Sequence, residues 1–374
     1  MRVAIVTESF LPVVNGVSNS VVQVLRHLRG TGHTTLLVAP GDGPDTHDGT
    51  PVIRLPSVGL PVVDALPVGL PSKRITLALR DFRPDVVHLA SPFVVGARAM
   101  SAARALGVPT VAVYQTDVAG FASSYGLGLT ARVAWRWTRR IHAAAHRTLA
   151  PSTAAVDALR ANGVPRVHLW PRGVDTARFT PARHDPAWRQ RILGDGRLLV
   201  GYVGRLAREK HVHHLAALHD LPGVRLVIIG DGPQRAALRT ALPAATFLGQ
   251  LSGDELATAY ASLDLFVHTG PHETFGQTIQ EALASGTPVI APASGGPRDL
   301  IAPGRTGYLV PAGDARALRA CVSALDDPTV RATFGAAARR SVLRRTWSSV
   351  CDQLLHHYRA VTHHPVSTDQ HRAS

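Results

Sequence analysis

Two glutamates eight residues apart, Glu273 and Glu281, frame the stretch whose side chains could do chemistry, Gly270-Pro271-His272-Glu273-Thr274-Phe275-Gly276-Gln277-Thr278-Ile279-Gln280-Glu281 and on to Gly286. The apolar run Leu265 to His268 ahead of it reads as a strand, and the pattern behind it opens a helix near Phe275. Free N–H groups of that first helical turn suit a phosphate. Glu273 stands in the loop and Glu281 two turns into the helix, so the carboxylates can grip different hydroxyls of one elongated ligand. Taken alone, the pair reads as a solvated helix acid and a first-turn acid favoured by the macrodipole. A second stretch, Gly201-Tyr202-Val203-Gly204-Arg205-Leu206-Ala207-Arg208-Glu209-Lys210, shifts that balance. It leaves another strand with a glycine, an arginine and a lysine, and a guanidinium fork beside a point-charge ammonium is what a diphosphate needs. Lys73 and Lys210 are the only lysines in the chain, so the ammonium at 210 stands out where arginine is otherwise used.

The elements that must position these groups follow one rhythm. Short β-rich apolar runs alternate with helix-period segments from end to end, the pattern of parallel α/β architecture with doubly wound sheets. Strands are expected at Arg2 to Thr7, Thr35 to Ala39, Val52 to Leu55, Val86 to Leu89, Thr110 to Val113 and Thr148 to Ala150. Helices are expected at Val17 to Arg29, Val95 to Leu106 and Thr130 to Arg147. A second series of strands starts at Leu198 to Val203 and continues through Val224 to Ile229, Thr246 to Leu248, Leu265 to His268 and Val289 to Ala291. Between the series, Pro171 to Pro186 reads as a connector. The expected division is a domain over 1–175, a second over 176–345, a helix over 346–361 returning to the first domain, and a frayed tail over 362–374. Two such domains would face each other across a cleft, with ligands at the carboxyl ends of the strands.

Composition excludes several classes. With 374 residues and 45% hydrophobic content the chain can bury two cores, and at a mean hydropathy of +0.07 it offers no run of about 18 apolar residues for a membrane span. The amino terminus, Met1 to Val6, is strand-length and is broken by Glu8, which argues against a signal peptide. Cys321 and Cys351 can form at most one bridge and make no C-x-x-C pair; a thiol-reducing cytoplasm fits. The net charge of +14 is scattered and comes with no recognition helix, RNP stretch or zinc knuckle, so no nucleic-acid partner is expected. Anionic lipid or a phosphorylated substrate accounts for it equally well.

Taken together, Glu273 and Glu281 with Phe275-Gly276 between them, Gly204-Arg205 with Lys210, Pro171-Arg172-Gly173-Val174-Asp175 ahead of Phe179-Thr180-Pro181, and Asn15-Gly16-Val17-Ser18 resemble the retaining, nucleotide-sugar-dependent glycosyltransferases of family 4. The resemblance covers nearly the whole chain and implies the GT-B fold, two Rossmann-like domains. Within the family the chain is most similar to the actinobacterial GDP-mannose-dependent α-mannosyltransferases that act on membrane glycolipids. The resemblance implies that Arg205 and Lys210 bind the donor diphosphate and Glu281 the ribose. Glu273 with the Phe275 and Gly276 backbone would bind the sugar and distal phosphate, and Gly16 would let its loop approach the phosphates. Base contact would come from backbone near Gly249 to Leu251. No metal and no cofactor are expected, because Arg205, Lys210 and the helix N-terminus can neutralise the leaving group. The implied reaction moves mannose from GDP-mannose to a glycolipid with retained stereochemistry, at the inner face of the cell membrane. A UDP-sugar transferase of the same fold, or a non-catalytic nucleotide-sugar or membrane-binding protein, is the alternative.

Many relatives place a histidine before the threonine of the first-domain cleft loop, whereas this chain reads Tyr114-Gln115-Thr116-Asp117. Gln115 can hydrogen-bond but cannot hold a positive charge. No catalytic histidine is therefore carried over, and Asp117 is expected to orient acceptor or sugar. The clusters His211, His213, His214 and His356, His357, His363, His364 lack accompanying Cys or acidic pairs and read as surface histidines. Arg132, Arg136, Arg139 and Arg140, with Trp135 and Trp137 among them, would share a helix face able to dock on anionic lipid. The same segment also reads as an ordinary helix with its tryptophans packed inward.

Overall fold

The computed structural model describes residues 1–59, 67–115 and 128–363. These form two compact units, one from the described residues up to 115 with 128–172 and 347–363, the other from 173–346. The first unit carries β1 (Arg2–Thr7), α1 (Gly16–Gly30), β2 (Thr34–Pro40), β3 (Thr46–His47), β4 (Thr50–Leu55), β5 (Ser57–Gly59), β6 (Pro67–Gly69), α2 (Lys73–Phe82), β7 (Val86–Ala90) and α3 (Val95–Ala105). It continues with β8 (Thr110–Val113), α4 (Gly128–Ala144), β9 (Arg147–Ala150), α5 (Thr153–Ala161) and β10 (Val167–Leu169). Its sheet runs β10-β9-β8-β7-β1-β2-β4-β3. All neighbours are parallel except β3 with β4, and β5 pairs antiparallel with β6 in a separate ribbon.

Strand alternation explains the two-sided core. Val3 and Ile5 of β1 enter a cluster with Val21, Val24, Leu25 and Leu28 of α1, while Ala4 and Val6 enter another with Ile75 and Leu79 of α2 and Ala99 of α3. A strand covered on both faces can therefore be apolar throughout, as β1 is. Asn15 starts α1 by accepting from the N–H groups of Val17 and Ser18, while Ser18 Oγ accepts from the Asn15 N–H. This is the reciprocal cap that fixes a helix start.

The second unit carries β11 (Leu198–Val203), β12 (Val224–Ile229), β13 (Thr246–Gly249), β14 (Leu265–Val267), β15 (Val289–Pro292) and β16 (Gly307–Val310) in the order β13-β12-β11-β14-β15-β16, all parallel. Its helices are α6 (Pro186–Leu193), α7 (Arg235–Ala241), α8 (Gly253–Ser262), α9 (Gln277–Ala284), α10 (Pro297–Leu300), α11 (Ala315–Ala324) and α12 (Pro328–Val342). Leu199 and Val203 face the side covered by α8 and α9, whereas Leu198, Val200 and Tyr202 face a 3₁₀ segment, Val212–Leu218, and α11.

Two sequence expectations need correction. The stretch Pro171 to Pro186 is more than a connector: Val174 and Phe179 are buried in the second unit's core. Arg339 of α12 pins it by donating to the carbonyls of Thr176, Phe179 and Ala284. The hydrophobic pattern also gave no notice of α2, β16 or the β5–β6 ribbon. The last helix, α13 (Trp347–Thr362), packs in the first unit. It buries Val350, Leu354 and Tyr358 against α1 and the sheet, with Trp170 Nε1 donating to the Val350 carbonyl at 2.9 Å and the Tyr358 hydroxyl 2.6 Å from His88 Nδ1. Cys321 and Cys351 are both free.

Candidate active site

At the carboxyl ends of the second unit's strands, glycines let loops lie directly on one another. The Gly204 N–H donates to the Ile229 carbonyl at 3.0 Å, the Gly230 N–H to the Gly249 carbonyl at 2.7 Å, and a Cβ at Gly230 would collide with the Gly204 carbonyl oxygen. The loop after β11 is held this way as it delivers Arg205, which is exposed, and then Lys210 at the end of a short 3₁₀ turn. Lys210 Nζ meets Glu273 Oε2 at 2.9 Å, and Thr269 Oγ1 donates to the Lys210 carbonyl at 2.7 Å. His268, buried at the end of β14, places Nε2 3.7 Å from the same Glu273 oxygen. Burial works against the Lys210 charge, but the ion pair with Glu273 outweighs it and holds the ammonium above its ordinary pKa. Burial also pushes the His268 imidazole down to about 4, so it faces the pair as a neutral ring at neutral pH.

The Glu273 loop is fixed by its main chain. The Gly296 N–H donates to the Glu273 carbonyl at 2.8 Å, and a Cβ at Gly295 or Gly296 would collide with the carbonyl oxygens of Glu273 or Phe275. The Phe275 side chain is buried in the core, which leaves only its backbone for a ligand. The helix opens two residues later than expected, at Gln277. Its N-cap is Gly276, at φ 99°, with no side-chain cap hydrogen bond, so no side chain competes with a ligand for the first-turn N–H groups. Glu281 is consequently only one turn in, where it accepts from Gln277 Nε2 at 3.3 Å. Burial pushes its pKa up to about 7, against the pull of hydrogen bonds from Gln277 and Tyr260. Sequence reasoning had no signal for His268 and Tyr260, which reach these carboxylates only through the fold, for Thr269, which holds the Lys210 main chain, or for Gln277, which meets Glu281 one helical turn on.

In the first unit, Gly16 and Gln115 are brought together by Arg172, which the sequence offered only as part of a motif. Its guanidinium donates to Gln115 Oε1 at 2.6 Å and to the Gly16 carbonyl at 2.9 Å, and the residue is 7% exposed. A Cβ on Gly16 would lie 2.8 Å from Arg172 Nη1. The missing side chain therefore makes room for an arginine of the protein, where the sequence suggested open approach to a ligand.

Family models agree with this two-unit layout. Glycosyltransferase Family 4 matches residues 14–178 and Glycosyl transferases group 1 matches residues 185–341. A GDP-mannose-dependent alpha-mannosyltransferase of Mycobacterium tuberculosis is 58% identical over 96% of this chain and 97% of its own length. One of the same description from Mycolicibacterium smegmatis is 56% identical over 96% and 98%. The chain belongs to glycosyltransferase family 4. The crystal structure of Anabaena HepE in complex with UDP-glucose shares the fold, with a TM-score of 0.77 at 21% identity, over 96% of this chain and 100% of that one. The fold is GT-B, and the protein is a glycosyltransferase.

The remaining expected positions on this transferase divide. Leu251, just past β13, is half-buried and packs against the core on the α8–α9 side. Asp117 lies outside the described residues. On α4 the four arginines 132, 136, 139 and 140 are exposed, but the tryptophans turn inward. Trp135 stacks on Tyr114 with centroids 6.3 Å apart, and Trp137 Nε1 donates to the Phe93 carbonyl at 3.0 Å. The exposed side of the helix therefore carries the arginines and Val133 in place of the expected indole. Among the described residues no helix is long and apolar enough to cross a membrane. His211, His213 and His214 converge, whereas His356 and His357 have ring centroids 6.2 Å apart; His364 lies outside the described residues.

Proposed function

We propose that this transferase moves mannose from GDP-mannose to a lipid-borne hydroxyl at the inner face of the membrane, with retention at the anomeric carbon and no metal in the transfer step. The observation that carries the reading is the Lys210–Glu273 ion pair beside the uncapped start of α9, with Arg205 in the same loop as Lys210. An entering diphosphate takes over Lys210 as its counter-ion, and the released Glu273 carboxylate becomes free to accept from sugar hydroxyls. Arg205 shares the diphosphate with Lys210, the main chain of Phe275 and Gly276 also reaches the phosphate next to the sugar, Glu281 takes the ribose, and backbone near Leu251 takes the base. In the transfer itself the bond between the anomeric carbon and the phosphate oxygen breaks, and the oxygen leaves with the electron pair. The acceptor hydroxyl attacks from the same face and its proton passes to the departing phosphate oxygen, with Asp117 orienting the acceptor. The positive charge that stabilises this leaving group comes from Arg205, Lys210 and the α9 N-terminus, so turnover should persist in EDTA.

A thermal-shift panel of GDP, UDP and ADP tests the donor. A ligand at 100 times its Kd stabilises by about 2.7 kcal/mol, so GDP should stand out; equal shifts from UDP would transfer the proposal to a UDP-sugar. Release of GDP from GDP-mannose only when lipid acceptor is present tests the rest. For the membrane, the four exposed arginines of α4 are each worth about 1 kcal/mol near an anionic surface. Co-sedimentation with anionic vesicles should fall when Arg136, Arg139 and Arg140 are replaced together by Gln, and indifference to lipid charge would remove the docking face while leaving the transferase intact.

A further inference from the structure

We infer that His211, His213 and His214 form a binding site for one divalent transition-metal ion of the zinc class, built from residues other than those proposed for the transfer step. Local backbone geometry makes the cluster. His211 has a left-handed backbone, φ 50°, at the joint between the 3₁₀ turn Arg208–Lys210 and the longer 3₁₀ segment Val212–Leu218. Its N–H donates to the Arg208 carbonyl at 3.2 Å, and the His214 N–H donates to the His211 carbonyl at 3.0 Å. Side chains three apart eclipse in a 3₁₀ helix, so His214 comes to stand over His211, with His213 closing the third side.

One ring nitrogen from each histidine lies within 4.8 Å of the other two. The ring centroids are 4.4 Å apart for His213 and His214, 5.2 Å for His211 and His214, and 5.7 Å for His211 and His213. Metal–nitrogen bonds of about 2.0–2.1 Å in a tetrahedral shell put ligand nitrogens roughly 3.3 Å apart. Side-chain rotation can close the difference, because His213 is exposed and His211 and His214 are only half-buried. Three imidazoles leave a fourth position open, and the space for it is present: a cavity of about 220 Å³ adjoins His213 and His214, backed by Val267, His268 and Leu318. Asp314, whose side chain caps α11 by accepting from the Ala317 N–H at 2.9 Å, also lines this cavity. Gly313 keeps it open, since a Cβ there would lie 3.3 Å from His214 Cε1.

The donor set selects the metal. Imidazole nitrogens suit zinc, copper, nickel and cobalt, whereas magnesium and calcium seek oxygen. The site lies on the side of the sheet covered by Val212–Leu218 and α11, while Glu273 leads into α9 on the side covered by α8. His211 nevertheless follows Lys210 directly, so a bound ion would fasten the joint next to the lysine.

Titration of the tag-free full-length protein with Zn²⁺ in a non-chelating buffer, followed by calorimetry, tests the site without any sugar donor. One saturable equivalent is expected, lost or weakened about tenfold or more in His213→Ala and in His214→Ala, and unchanged in His356→Ala. Co²⁺ should give the d–d absorption of a low-coordinate site in the wild type and lose it in the same variants, with circular dichroism reporting that they remain folded. Binding that survives His213→Ala and His214→Ala together, equal loss in His356→Ala, the absence of a saturable equivalent, or equal competition by Mg²⁺ would each overturn the assignment. None of these outcomes bears on GDP binding, so the donor reading stands or falls separately.

Discussion

Lys210 and Arg172 are two sheltered cations, one in each unit, and they are held in opposite ways. Lys210 faces a carboxylate, Glu273, at 2.9 Å, whereas Arg172 forks onto an amide oxygen and a main-chain carbonyl, Gln115 Oε1 and Gly16 O. An ammonium paired with a carboxylate can exchange that partner for a phosphate oxygen, because both are anions, and the carboxylate it leaves is then available to hydroxyl donors of the ligand. A guanidinium forked onto neutral groups of its own scaffold has fixed geometry, and removing it takes away the bond that joins them. The contrast teaches that the same formal charge can be held by an exchangeable anion in one unit, as the proposed donor binding requires, and by neutral acceptors of the scaffold in the other.

Removing the cations separates the two roles. Lys210→Ala and Arg205→Ala should each lower turnover about a hundredfold or more, as expected for preorganised charge facing a developing anion, while both proteins remain folded by circular dichroism. Near-full turnover in either folded variant would sink the diphosphate assignment. Arg172→Ala should act chiefly on stability, about 1–3 kcal/mol from losing a buried charge-assisted fork, read by urea unfolding; an unchanged midpoint would mean that the fork carries no weight.

Finer changes sharpen the second unit's side of the comparison. Glu281→Ala should weaken GDP binding by about tenfold, the scale of a hydrogen bond to a charged group, with kcat little changed. Glu273→Ala should instead depress kcat, because its contacts tighten as the sugar flattens in the transition state. The raised Glu281 pKa adds a pH dependence with a definite sign. Ribose hydroxyls donate to the ionised carboxylate, so GDP affinity should rise as pH increases through about 7 and level off above it. From pH 8 to pH 6 the loss should reach up to about tenfold, the ceiling for one group whose free-state pKa is about 7, and Glu281→Gln should flatten the calorimetric profile. In the ligand-free protein the sign is reversed. A carboxyl raised on folding contributes its full stability below the unfolded pKa and loses it as pH rises towards about 7.

The smallest effect is expected at Gly16→Ala. The new Cβ would press on Arg172 Nη1, the far end of a flexible side chain, while alanine favours the helix over glycine by up to about 1 kcal/mol. The two terms oppose each other, and a net change within about 0.5 kcal/mol is expected from unfolding curves. A larger loss would show that the Arg172 fork cannot shift.

Much of the fold was legible because parallel strands buried on both faces write themselves as continuous apolar runs: β11 and β12 fall where the pattern put them, residue for residue. The pattern fails where burial is one-sided or brief, as in α2, β16 and the β5–β6 ribbon. Helix starts slipped for a related reason. A glycine N-cap such as Gly276 bonds no side chain and so gives less notice in the sequence than Asn15 and Ser18 do at α1.

By itself, then, the sequence determined the alternation of strands and helices, the two series that become two units, and the charged residues at strand ends, because hydrophobic period and residue type are local properties of the chain. Tertiary structure alone decided which charges meet. Lys210 and Glu273 are brought together across 63 residues and Arg172 and Gln115 across 57, and no periodicity encodes such pairings. It also turned the tryptophans of α4 inward and gathered three histidines at one joint, since side-chain direction depends on the surface each element packs against and on a single left-handed residue, His211.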